Sequence, residues 1–147
     1  MQHWEVVVVG AGAAGLVAAF RAAERGRRTL LMEKNRRPGA KILMSGGARC
    51  NLTHATDELG IVRQLGPQGR FLHSALSVLG PQGVVEMFEA EGVATKVEQE
   101  TGKIFPASDK ALDVLGALMR RLQRSGCTLA REEPLSAIER SGDGFRL

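Results

Sequence analysis

Glu5-Val6-Val7-Val8-Val9-Gly10-Ala11-Gly12-Ala13-Ala14-Gly15 is the stretch that decides the fold of this chain. Residues 5–9 form a short apolar run of β-branched valines, the pattern of a strand buried on both faces of a parallel sheet. Gly10 ends it. From residue 13 to residue 25 the composition favours helix, with Leu16, Ala19, Phe20 and Ala23 recurring at three and four and Gly26 as the stop. Residues 28–33 read as a second strand. Strand, glycine turn, helix and strand make a βαβ unit, whose parallel crossover is expected to be right-handed.

Within that unit Gly10, Gly12 and Gly15 form G-x-G-x-x-G between strand and helix, the context that gives this short pattern meaning. Gly10 permits the sharp turn, Gly12 removes a Cβ so that a pyrophosphate can approach the backbone, and Gly15 lets helix and strand pack closely. Across Gly10 to Gly15, with Gly12, Ala13 and Ala14 between, unpaired N–H groups and the positive helix end then hold phosphate. Glu33, followed by Lys34, closes the second strand, where a carboxylate can accept hydrogen bonds from both ribose hydroxyls. That carboxylate disfavours a 2′-phosphate, although Arg36 and Arg37 are near enough in sequence to keep NADP in view. FAD and NAD remain. The competing interpretation is a glycine-rich turn with a surface glutamate.

The composition fits this picture. Of 147 residues, 44% are hydrophobic, 24% charged and 4% aromatic, which excludes a disordered chain and matches one ordinary domain. The run Val6 to Val9 is far short of the roughly 20 apolar residues of a membrane span, and no basic residue precedes it as in a secretory signal. Twenty basic against sixteen acidic residues give a net charge of +4, but Arg25, Arg27, Arg28, Arg120, Arg121 and Arg124 fall at or near helix ends. With five Phe, one Trp and no Tyr there is little to stack on bases, so no nucleic-acid partner is expected. Cys50 and Cys127 stand too far apart for a zinc pattern and suit a reducing, cytoplasmic setting. His3, His54 and His73 are scattered, and no metal site is proposed.

Residues 35–56 carry three glycines, a proline and no sustained period, an ordered loop with one helical turn at most; its length argues for a binding role. Helices are expected over residues 69–79 and 81–91, a strand over 93–99, and a helix capped by Ser108 that runs to Arg124 with Ala111, Leu115, Leu118 and Leu122 on one face. Phe105-Pro106 reads as a packing turn. Residues 127–131 and 135–140 are strand candidates, and residues 141–144 a hairpin turn. A return strand of only three residues leaves backbone groups unpaired, which points to a fragment.

Inside the loop, Gly39-Ala40-Lys41 is followed by Ser45-Gly46-Gly47-Ala48-Arg49-Cys50-Asn51-Leu52-Thr53, and further on stands Gly102-Lys103-Ile104-Phe105-Pro106-Ala107-Ser108-Asp109-Lys110-Ala111. These strings resemble the BaiN-like (YhiN-like) flavoproteins, also described as aminoacetone-oxidase-type FAD-binding enzymes. Ala48 stands where relatives often have a third glycine, and His54 where an asparagine often follows the threonine. The resemblance implies a Rossmann-like α/β FAD-binding domain with a parallel sheet and an added antiparallel meander, incomplete at its C-terminus. Residues 1–147 would then be the N-terminal part of the dinucleotide domain, with the substrate domain outside this chain.

The resemblance also implies FAD as cofactor, NAD(P)H as electron donor and an organic small molecule as substrate. Physically the loop offers amides at Gly46 and Gly47 for an anion-binding nest, cations at Lys41 and Arg49 near the N1/C2 side of a flavin ring, and hydrogen bonds from Ser45 and Asn51. The alternative is a tight glycine-rich connection held by a salt bridge from Arg49. Cys50 reads equally as a partly buried thiol and as a reactive one; it is counted with the flavin-contact residues and not as catalytic, and no dithiol relay is available. The function expected is an FAD-dependent oxidoreductase. A nonenzymatic nucleotide-binding module and an NAD-linked dehydrogenase without flavin stay open, as do the catalytic residues and the oligomeric state.

Overall fold

A computed structural model of the protein describes residues 3–147. The chain falls into two compact units, Met1–Lys41 with Leu118–Leu147, and Ile42–Ala117. It begins with β1 (Val6–Val9), α1 (Ala13–Glu24) and β2 (Thr29–Glu33), then α2 (Ala40–Met44). The second unit continues with β3 (Thr53–His54), α3 (Glu58–Gln64), a 3-10 turn (Gly66–Leu72), α4 (His73–Val78), α5 (Pro81–Glu89), β4 (Thr95–Glu98) and β5 (Lys103–Pro106). After α6 (Ala111–Arg124), which begins in the second unit and ends in the first, come β6 (Thr128–Arg131), β7 (Glu139–Ser141) and β8 (Gly144–Arg146).

The first unit is built on a parallel sheet of order β1-β2-β6, in which Val6 faces Thr29, and Leu30 faces Thr128 across the central strand. The βαβ unit read from sequence is present almost to the residue. α1 buries Leu16, Ala19 and Phe20 completely, as the spacing predicts, and stops where Gly26 takes φ +78°. On its outer side Arg121 of α6 forks onto Glu24 at 2.7 and 3.2 Å and lies 4.5 Å from the Phe20 ring centroid. β2 alternates buried and half-buried residues, with Thr29, Leu31 and Glu33 inward. The expectation that β1 is buried on both faces needs correcting. β1 is an edge strand among the described residues, its valines are half-buried, and Val9 is 52% exposed. The hairpin of β7 and β8 is a separate antiparallel pair around the expected turn, while residues 135–138 join no strand.

In the second unit β5 is the central strand of an antiparallel sheet of order β3-β5-β4, with Ile104 and Phe105 buried. The packing turn expected at Phe105-Pro106 is therefore the end of a strand, because Thr53 pairs with Ile104 and Thr95 with Pro106. Ile42, Val62, Phe88, Val93, Val114 and Ala117 are also buried in this unit. α3 has no counterpart in the sequence reading; it starts where Asp57 accepts a hydrogen bond from the Gly60 amide at 2.7 Å. The helix expected over residues 69–79 begins as the 3-10 turn at Gly66 and becomes α-helical only at His73. Ser108 does not cap α6, which starts three residues later; its hydroxyl donates to Asp113 and accepts from the Lys110 amide.

The closest constraint in the first unit is Gly15. A Cβ there would lie 1.9 Å from the carbonyl oxygen of Gly10. Gly15→Ala should therefore lower stability by about 2–4 kcal/mol, since the clash is with backbone that cannot swing aside. Thermal unfolding followed by circular dichroism measures it, and an unchanged melting temperature would contradict the packing described.

Candidate functional site

The carboxyl ends of β1 and β2 and the opening of α1 enclose a cavity of about 900 Å³ in the first unit. Gly10 turns the chain at φ +96°, a conformation open to glycine, while its amide donates to the Met32 carbonyl at 2.7 Å. Gly12 is the N-cap of α1, with extended backbone and no side chain to cap the helix. The first helical hydrogen bond runs from the Leu16 amide to the Gly12 carbonyl at 2.9 Å. Among the described residues, the amides of Gly12, Ala13, Ala14 and Gly15 have no partner, and all four residues line the cavity. These are the free donors of a helix start, in a place where the macrodipole favours an anion. A Cβ added at Gly12 would meet nothing within 4 Å, so its absence leaves open space rather than relieving a clash.

Glu33 forms the floor beside this turn and is 7% exposed. Its Oε2 accepts from the Ala11 amide at 2.8 Å, and its Oε1 accepts from both the amide and the side-chain Nδ2 of Asn35, each at 2.9 Å. Burial pushes the Glu33 carboxyl up, but the hydrogen bonds from Asn35 and Ala11 and the charge of Lys34 outweigh it and hold the pKa below its ordinary value. The Gly39 amide, donating to the Ala11 carbonyl at 2.8 Å, fastens the same turn from the other side. Lys34 and Lys41 are exposed residues lining the cavity.

Sequence reasoning missed Asn35 and the segment after β6 as lining residues. Glu132 takes φ +61°, after which the Glu133 amide donates to the Glu33 carbonyl at 3.0 Å and brings Glu133, Pro134 and Leu135 to the cavity. The signal available was Pro134, which stops a strand and disfavours the one expected from residue 135.

The other expected residues, Ser45, Gly46, Gly47, Arg49, Cys50 and Asn51, belong to the second unit and form one loop there. Gly46, Gly47 and Ala48 follow one another at φ +54°, +66° and +66°, and Cys50 adds +64°. The loop closes through the Cys50 amide to the Ser45 carbonyl at 3.1 Å, and Ser45 donates its hydroxyl to Ile42 at 2.9 Å. The amides of Gly46 and Gly47 have no partner among the described residues. Arg49 is engaged: its Nη1 lies 3.0 Å from Glu98, and its guanidinium stacks 4.0 Å from the Phe105 ring centroid. Lys96 pairs with Asp109 beside it. Hydrogen bonds from Thr101 and then Arg49 lower the Glu98 pKa. Cys50 is buried, and Asn51 is exposed. Among the described residues no group of three or more His, Cys, Asp or Glu could hold a metal ion, and no helix is long and apolar enough to cross a membrane.

A family model described as the HI0933-like protein Rossmann domain matches residues 4–147. The chain is 31% identical over 147 residues to the protein named Ribosomal RNA dihydrouridine synthase of Escherichia coli, covering 100% of this chain and 36% of that one. It is 30% identical over 139 residues to the protein of the same name in Haemophilus influenzae, covering 95% of this chain and 34% of that one. The chain thus spans about a third of the length of these curated relatives. Among solved structures, the open conformation of a flavocytochrome c3 fumarate reductase superposes with a TM-score of 0.69 at 17% identity, over 95% of this chain and 28% of that one. THI4 of Thermovibrio ammonificans does so with a TM-score of 0.59 at 15% identity, over 97% and 45%. At these identities the likeness is one of fold.

Two outcomes follow from the site. Ala48 holds a left-handed backbone that glycine adopts without penalty, so Ala48→Gly should raise stability by about 1 kcal/mol; a lower melting temperature would contradict the strain. Glu33 has a folded pKa below its unfolded value, so its stabilisation is complete above the unfolded value of about 4.3 and is lost as pH falls through the folded one. Glu33→Gln should therefore cost about 2 kcal/mol at neutral pH, with the gap to the parent closing in acid. Urea titrations across pH measure it, and a gap independent of pH would contradict the assignment.

Proposed function

The chain belongs to the HI0933-like Rossmann-domain family, and from that premise we propose that it is the dinucleotide-binding portion of an FAD-dependent oxidoreductase of the BaiN-like kind. The observation that carries the reading is the row of four bare amides from Gly12 to Gly15 beside a cavity floored by a buried, ionised glutamate. A pyrophosphate supplies the missing acceptors, and Glu33 supplies one for the adenosine ribose. The opening at Gly12 fits the group, because nothing in the protein fills the space its side chain would take. When bound, the flavin supplies hydride exchange between a nicotinamide donor and an organic acceptor.

The roles implied at the flavin ring by the family resemblance, for Lys41, Ser45, Gly46, Gly47, Arg49, Cys50 and Asn51, are part of this proposal. Arg49 brings its charge already paired with Glu98, so it acts by a directed hydrogen bond more than by net positive charge. For the acceptor, the two relatives named for ribosomal RNA dihydrouridine synthesis support a uridine of ribosomal RNA. In this reading an RNA base takes the place of the small molecule expected from sequence.

The purified protein should be yellow and lose its colour with NADH or NADPH. Gly12→Val should still fold, melting slightly below the parent because valine is a poorer N-cap than glycine, but lose flavin by at least about tenfold in affinity, because a branched side chain then stands in the phosphate cradle. A Gly12→Val protein that keeps its flavin would remove the phosphate assignment. Ribosomal RNA from cells lacking the gene should lack one dihydrouridine by mass spectrometry; RNA identical to the parent's would return the acceptor to a small molecule.

A further inference from the structure

We infer that Asn35 determines how the ribose is read: by occupying one oxygen of Glu33, it restricts that carboxylate to a single ribose hydroxyl. The inference deepens the dinucleotide reading above and rests on it.

An ionised carboxylate offers four lone-pair positions on its two oxygens. Oε1 of Glu33 takes two donors, the amide and Nδ2 of Asn35, each at 2.9 Å. Oε2 takes one, the Ala11 amide at 2.8 Å. One position remains, on Oε2. A ribose cis-diol brings two hydroxyl donors, and the two-oxygen clasp expected from sequence needs a free position on each oxygen. The backbone donors at Ala11 and Asn35 are fixed by the turn and by β2, so the one removable donor is the Asn35 side chain. Its orientation is set as well, since a flipped amide would bring Oδ1 against Oε1, acceptor to acceptor.

Asn35 is an exposed residue that lines the same cavity as Glu33 and lies outside every helix and strand, so replacing its side chain removes one donor to Glu33 and leaves the two backbone donors in place. Glu133 also lines the cavity, but its hydrogen bond to Glu33 is made by backbone alone, which leaves the acceptor positions of the carboxylate unaffected.

The test is competition against FAD on the purified protein by ADP, 2′-deoxy-ADP and 3′-deoxy-ADP, read by the fluorescence of released flavin. For the parent, one deoxy analogue should bind about tenfold more weakly than ADP, the loss of one hydrogen bond to a charged acceptor, and the other should match ADP. In Asn35→Ala the Nδ2 donor is gone, Oε1 has a free position, and both analogues should now be weaker than ADP. A merely structural role for Asn35 would shift all three ligands together and leave the pattern as it was. Equal losses for both analogues on the parent, or the parent's pattern in Asn35→Ala, would overturn the inference while leaving dinucleotide binding intact. A parent that binds neither FAD nor ADP would overturn both.

Discussion

The start of α1 stands so close to the end of β1 that no side chain fits between Gly15 and the Gly10 carbonyl, and most of the first unit's chemistry depends on that approach. It places the unpaired amides of the helix at the carboxyl ends of β1 and β2, where open α/β sheets gather their ligands. The contact is held from behind by Leu16, Ala19 and Phe20, whose burial sets the helix against the sheet. A phosphate site of this kind requires no cationic side chain. Backbone donors that the helix cannot satisfy internally are enough, provided that nothing in the protein covers them.

Glu33 links this turn to the rest of the proposed nucleotide cavity. A buried carboxylate is expensive unless donors surround it, and here three donors do. The same bonds that keep it ionised also tie the Gly-rich turn to β2 and to the loop after it. In the proposed reading recognition and stability are carried by one group, so variants at Glu33 cannot alter nucleotide binding without altering the fold. In the second unit Arg49 has a comparable double part, joining its loop to β4 through Glu98 and covering the Phe105 ring.

What the sequence discloses is what local chemistry decides. The βαβ unit follows from a valine run, three glycines and a helix stop, all within reach of one another along the chain. The Gly-rich turn and the place of Glu33 at the end of β2 are legible for the same reason. β5 is not, because four residues ending in proline become a strand only through pairing with β3 and β4. The partner of Arg49 lies 49 positions away at Glu98, and no spacing rule points to it. Ala48 marks the opposite case: its departure from the family's glycine is visible in sequence, but that it sits in a left-handed backbone is visible only in the structure. Asn35 escaped because a polar loop residue says nothing by itself; its meaning comes from the carboxylate it faces.

The central claim is that the amides opening α1 are the seat of a diphosphate. Titrating isotope-labelled protein with ADP and following the amide resonances tests it most directly. The signals of Gly12, Ala13, Ala14 and Gly15 should move together and saturate at one binding constant. Signals that stay in place while ADP binds elsewhere, or that stay in place because it does not bind, would contradict it.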